Sequence, residues 1–187
     1  MTATATPRAV RPAEPEPIAL LPYELPELDT RAPLDLHRAT VPPEWVDWNG
    51  HMNMSRYLEA FDFASGAFTT QIGMGRRYVG NKLGMTFVLE AHITYDREVK
   101  GGDDLRFTTQ LLDHDSKRLH LFHQMYHAQQ GFLAATCELM IMHIDHATRR
   151  PGPFPAQTRE RLALMAATHG GLPRPAKSGR LIGIPKR

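Results

Sequence analysis

An α+β fold, one long helix enclosed by a five-stranded antiparallel sheet, is predicted for these 187 residues. Three observations predict it. Residues 54–70 place Met54, Tyr57, Leu58, Phe61, Ala64, Ser65 and Phe68 at spacings of three and four, the period of a helix with one apolar face. Residues 86–145 divide into four strand-like segments joined by short turns, and short turns make the strands antiparallel. A further short strand, 37–41, precedes the helix and is stopped by Pro42-Pro43.

The elements follow in order. Residues 1–36 form an extended or disordered arm rather than a domain, because nine of the 15 prolines lie at or before Pro43. Its Ile18-Ala19-Leu20-Leu21 stretch is a candidate for docking on the body. Residues 37–187 then make one domain. Asn53 is suited to cap the helix, and Gly73 and Gly75 end its pattern. The apolar face is broad, so the helix is expected to be largely enclosed.

In the strand 86–99, Phe87, Leu89, Ala91, Ile93 and Tyr95 alternate with Glu90, His92, Thr94 and Asp96. Gly101-Gly102-Asp103 turns the chain into 105–112. His114-Asp115-Ser116-Lys117 connects to 118–128, and Gln129-Gln130-Gly131 to 133–145. The four strands read as a meander. Residues 158–168 form a short C-terminal helix with Leu162, Leu164 and Met165 as packing residues. One helix cannot cover both faces and both edges of such a sheet, so a homodimer or homotetramer is expected.

Bulk composition narrows the function. A 42% hydrophobic and 22% charged chain can bury a sizeable core. A net charge of +2 suits a phosphorylated small molecule and falls far short of a nucleic-acid footprint. No apolar run approaches the roughly 18 residues of a membrane span, and the N-terminus lacks a signal-peptide core. The single cysteine, Cys137, excludes an intrachain disulfide and fits a reducing cytoplasm. Cys137 lies mid-strand without a basic neighbour, as an inert buried thiol does. The ten histidines form no ligand set with metal spacing, so no metal and no cofactor are expected.

Asp47-Trp48-Asn49-Gly50-His51-Met52-Asn53 carries the chemistry. It puts a carboxylate, an amide and an imidazole at i, i+2 and i+4, just ahead of the helix. A helix N-terminus favours developing negative charge, which suits attack on a carbonyl whose oxygen becomes an oxyanion.

The pattern Asp47, Gly50, His51, Asn53, Tyr57, followed by a long antiparallel sheet, resembles the hotdog-fold thioesterases of the 4-hydroxybenzoyl-CoA thioesterase-like family. The resemblance covers residues 37–145. The spacing of Asp47, Asn49 and His51 is also similar to the catalytic triplet of plant acyl-carrier-protein thioesterases. Four stretches are similar to the subgroup acting on betainyl-CoA in carnitine degradation: residues 44–53, Lys117-Arg118-Leu119-His120, Ala134-Ala135-Thr136-Cys137-Glu138 and 179–185.

The resemblance implies hydrolysis of a small acyl-CoA with Asp47 as nucleophile or general base. One carboxylate and an oxyanion site suffice there, because a thiolate is a good leaving group. Asp47 otherwise caps a turn. His51 orients the nucleophile or protonates departing sulfur, or is a satisfied structural histidine. Asn49 positions water or donates to the oxyanion, or is a turn residue. The N–H groups of Gly50 and His51 are oxyanion candidates. Glu90 matches a carboxylate that assists catalysis in some relatives, although alternation turns it away from Phe87, Leu89 and Ala91. Trp45, Trp48 and Tyr57 are packing residues or an aromatic cage for a quaternary ammonium. Lys117 and Arg118, and after them Arg76 and Arg77, are solvated charges or anchors for coenzyme A phosphates. The alternatives are a thioesterase for an aryl, medium-chain or carrier-protein-linked acyl group, a hotdog hydratase or dehydratase, and a non-catalytic acyl-CoA-binding protein.

Overall fold

A computed structural model describes residues 25–184, so the Ile18–Leu21 stretch and Pro185 lie outside the described residues. Strand β1 spans Leu34–Thr40, starting ahead of the expected 37 because wholly buried Leu34 already pairs with Thr109. Pro42 and Pro43 end it, and a single 3₁₀ turn, Pro43–Trp45, follows with Trp45 buried.

Helix α1, Met54–Gln71, begins where the Asn53 side chain accepts the Ser55 N–H at 3.0 Å. Tyr57, Ala60, Phe61, Ala64, Ser65, Phe68 and Thr69 are buried at the expected spacing. Phe61 and Phe68 are fully buried, each contributing roughly 1.5–3 kcal/mol of apolar transfer. Met54 and Leu58, expected on the enclosed face, are instead exposed: the helix is covered on one side only. A short helix α2, Arg76–Gly80, was not anticipated. It buries Tyr78, whose hydroxyl lies 2.9 Å from His143 Nε2.

Strands β2 (Gly84–Tyr95), β3 (Asp104–His114), β4 (Arg118–His127) and β5 (Leu133–Asp145) complete a sheet in the order β1-β3-β4-β5-β2, antiparallel throughout. Only β3-β4-β5 is a meander. The predicted neighbour of β3, strand β2, lies at the far edge beside β5. Residues 96–103 are too long for a hairpin. They carry the chain past the start of α1, where Val99 is fully buried and its carbonyl accepts the Met52 N–H at 2.9 Å.

A bulge in β2 also changes the facing of its side chains. Val88 pairs with Ile141 and Glu90 with Met140, so Leu89 is the extra residue. Phe87, opposite Met142, therefore falls on the outer face, and Val88 takes the inner position. Beyond the bulge, Glu90 and His92 face outward with Met140 and Glu138, as alternation predicts.

The inner face packs on α1 and includes one polar network. His123 is fully buried; its Nε2 lies 3.0 Å from Ser65 Oγ and its Nδ1 2.9 Å from Thr109 Oγ1. Phe61 stacks on the same imidazole and meets Phe107 edge-on at 5.8 Å. Helix α3, Ala156–His169, buries Leu162 and Met165, while Leu164 is exposed. Its His169 Nδ1 accepts the Leu111 N–H at 2.8 Å, and Nε2 faces the Arg31 carbonyl at 3.2 Å. Among the described residues no helix is long and apolar enough to cross a membrane.

Candidate active site

Residues 47–51 form the tip of a small hairpin rather than the first turn of the helix. Val46 and Met52 make an antiparallel bridge, the Asp47 N–H donates to the His51 carbonyl at 3.0 Å, and the Asn53 N–H to the Trp45 carbonyl at 2.8 Å. At the tip the Gly50 N–H closes a turn onto the Asp47 carbonyl at 3.0 Å. Gly50 has φ +79°, a conformation that glycine adopts without strain. Its N–H is therefore committed to the turn and is not the oxyanion donor expected of it. The His51 N–H makes no internal hydrogen bond among the described residues and keeps that candidacy.

Asp47 combines its two readings. Oδ1 accepts the Asn49 N–H at 2.8 Å, a turn cap, while Oδ2 has no partner among the described residues. The half-buried carboxylate opens into a cavity of about 360 Å³ with Asn49, His51, Tyr57, Tyr95 and Glu98 on its walls. Asn49 itself is exposed at the rim.

The connection after β2 supplies what the motif alone did not reveal. His51 Nε2 lies 3.1 Å from Glu98 Oε1, so a carboxylate orients the imidazole. Asp96 and Arg97 line the same cavity. The acidic and basic run Asp96-Arg97-Glu98 was the available signal, hidden by extending the strand to Val99. Tyr57 and Tyr95 meet edge-on with centroids 5.2 Å apart, and burial raises the pKa of the Tyr57 hydroxyl.

The other aromatics do not converge on this cavity. Trp45 is 8% exposed within the core, and Trp48 is 96% exposed at the hairpin tip, so no cage of Trp45, Trp48 and Tyr57 assembles within one chain. Glu90 lines a separate cavity of about 240 Å³ on the outer face with His92, His120 and Glu138. The β3–β4 turn engages Lys117 and Arg118: Asp115 Oδ1 accepts both N–H groups at 2.9 and 2.6 Å, and Oδ2 pairs with Arg118 Nη2 at 2.6 Å. Those contacts, led by the Lys117 N–H, lower the Asp115 pKa to about 2. Arg118 borders a cavity with Asp113 and His120, away from the motif. Arg76 and Arg77 are exposed on α2. Burial pushes the Cys137 thiol up to about 12, which makes it a poor nucleophile. Among the described residues no three His, Cys, Asp or Glu side chains are grouped to hold a metal ion.

A family model described as the thioesterase-like superfamily matches residues 41–162. The chain belongs to the thioesterase-like superfamily. A betainyl-CoA thioesterase from Pseudomonas aeruginosa is 38% identical over 155 residues, 81% of this chain and 96% of that one. An L-carnitine dehydrogenase/betainyl-CoA thioesterase from Rhizobium meliloti is 38% identical over 157 residues, 83% of this chain but 31% of that longer protein. Among solved structures, a Staphylococcus aureus protein in complex with CoA superposes with a TM-score of 0.76 at 32% identity, covering 84% of this chain and 99% of that one. A candidate thioesterase from Pseudomonas putida KT2440 gives 0.72 at 36% identity, covering 83% and 99%. The long helix against a five-stranded antiparallel sheet is the hotdog fold of this superfamily.

Proposed function

We propose that this protein hydrolyses a small acyl-CoA, namely betainyl-CoA, to the free acid and coenzyme A. The observation that carries the reading is Asp47, whose Oδ2 has no partner among the described residues and whose side chain lines a cavity beside the His51–Glu98 pair in a thioesterase-like chain. The near-complete coverage of a betainyl-CoA thioesterase supports the choice of acyl group.

Asp47 attacks the thioester carbonyl directly or takes a proton from the attacking water. The C–S bond breaks, oxygen from water ends on the acyl carbon, and the departing thiolate takes a proton. Glu98 fixes the His51 ring, and the His51 N–H is placed to donate to the oxyanion. Asn49, on the rim, positions water.

A trimethylammonium head suits these walls better than a neutral acyl chain. Asp47 and Glu98 are acidic, outnumbering Arg97, and the aromatic side chains of Tyr57 and Tyr95 line the same cavity. Cation–π attraction contributes about 0.5–2 kcal/mol, a factor of roughly 2–30 in affinity. 3,3-Dimethylbutyryl-CoA has the same shape without the charge. Betainyl-CoA should exceed it in kcat/KM by about tenfold. Equal turnover of the two would remove the cation reading, and absence of thiol release from every acyl-CoA tested would remove the hydrolase.

The working form is a cytoplasmic homodimer or homotetramer. The lone free Cys137 fits a reducing compartment. Strand β2 is a 12-residue edge with Phe87, Val88 and Leu89 exposed, and a groove of about 390 Å³ beside it is lined by Leu58, Val88, Ala91 and Leu139. Long apolar edges are covered in native proteins. Sedimentation should give a mass of two or four chains; a monomer at micromolar concentration would contradict this.

A further inference from the structure

The C-terminal segment leaves α3 and crosses the outer face of the sheet. The Leu172 N–H bonds back to the His169 carbonyl at 3.1 Å, and Gln110 Nε2 reaches the Pro173 carbonyl at 3.5 Å. Leu172, Pro173 and Pro175 lie over Phe122, which is 2% exposed. Farther on, the Gly179 N–H donates to Glu138 Oε2 at 2.7 Å, while Glu138 Oε1 holds His120 Nε2 at 2.7 Å. Three sequence stretches noted above, around His120, Glu138 and Gly179, thus meet at one anchor.

The second anchor is Lys177, whose ammonium pairs with the Asp96 carboxylate; the two side chains are 29% and 26% exposed. Asp96 marks the point where β2 leaves the sheet. Its N–H and that of Arg97 both donate to the Ala134 carbonyl, at 2.9 and 3.1 Å. Two residues later Glu98 reaches His51. Lys177 borders a cavity of about 410 Å³ under the segment, and Asp96 borders the motif cavity, so this ion pair stands between the two.

We infer that residues 172–179 are a positioning strap for the motif cavity: Lys177, through Asp96, holds the wall that presents Glu98 to His51. The inference builds on the hydrolase reading given above. Lys177 is a positioning residue and touches no reacting atom. A partly buried pair is screened less than an open surface pair, so its loss should move the wall measurably.

The test uses the full chain and free-thiol release from betainyl-CoA. Lys177→Met should lower kcat about five- to tenfold while KM changes less than twofold, because the displaced group orients His51 rather than binding coenzyme. Lys177→Arg should retain wild-type kcat. The exchanged pair Asp96→Lys/Lys177→Asp should recover most of the loss of either single change. Wild-type kcat and KM in Lys177→Met, or an equal loss in Lys177→Arg, would overturn the strap. Hydrogen exchange at residues 96–99 separates this failure from failure of the hydrolase reading. If the wild type releases no thiol, faster exchange there in Lys177→Met still supports the strap, and unchanged exchange overturns it.

Discussion

Asp47→Asn should lower kcat/KM for betainyl-CoA by about 10²–10⁴, the range associated with losing a positioned base or nucleophile. Asparagine keeps an acceptor where Oδ1 takes the Asn49 N–H, so the hairpin should persist. What disappears is the charge and basicity of Oδ2, which has no partner among the described residues. A change of that size corresponds to about 3–5 kcal/mol of transition-state stabilisation. Free-thiol release, with circular dichroism as a check on folding, measures it. Full activity in a folded Asp47→Asn protein would assign the chemistry elsewhere. Asp47→Ala should lose the turn cap as well, so the amide variant is the cleaner comparison.

Acidification should destabilise the fold well before carboxylates titrate. Burial lowers the pKa of His123 to about 3, with a smaller contribution from nearby His37. Burial likewise lowers those of His37 and His169, with Arg38 adding to the effect at His37 and the Arg31 carbonyl opposing it at His169. In the folded chain all three take a proton only at lower pH than an unfolded histidine, which does so near pH 6.5. Below pH 6.5 the unfolded state therefore binds more protons, and stability falls with pH. For His123 the slope approaches about 1.4 kcal/mol per pH unit, and the loss runs from pH 6.5 to about 3, with His37 and His169 adding in the same direction.

The carboxylates act in a lower window. The pKa of Asp115 is lowered to about 2, first by the Lys117 N–H, and those of Asp29, Asp35 and Asp145 are also lowered. Their contribution is lost only below about pH 4. Urea denaturation at pH 7.5 and 5.0 isolates the histidine window. A lower midpoint at pH 5.0 is expected, with a smaller decrease in His123→Gln. An unchanged or higher midpoint at pH 5.0 would contradict the buried neutral state.

Periodicity made α1 legible because a helix declares its buried face through local spacing, and Phe61, Ala64 and Phe68 follow it closely. Strand β5 was equally legible, its bounds Leu133–Asp145 set by the Gln129-Gln130-Gly131 turn and the end of alternation. Sheet order was not, since the pairing of β2 with β5 depends on contacts across 40 or more residues. The Leu89 bulge was also hidden: one extra residue reverses the facing of Phe87 and Val88 without altering composition. At the site, Asp47, Asn49 and His51 are local to one hairpin and could be read together. Glu98 and Tyr95 reach it only through the crossing connection. Trp48 lies within the motif and Trp45 two residues ahead of it, but the 3₁₀ turn buries Trp45 while the hairpin tip leaves Trp48 in solvent.

A crystal structure with betainyl-dethia-CoA, in which a methylene replaces the thioester sulfur, tests the placement of the reacting carbon most directly. The ketone carbon should lie about 3–3.5 Å from Asp47 Oδ2 or be bridged to it by one water, with the ketone oxygen toward the His51 N–H. An acyl group lodged beside Glu90, His92 and Glu138, with Asp47 facing empty solvent, would contradict the account.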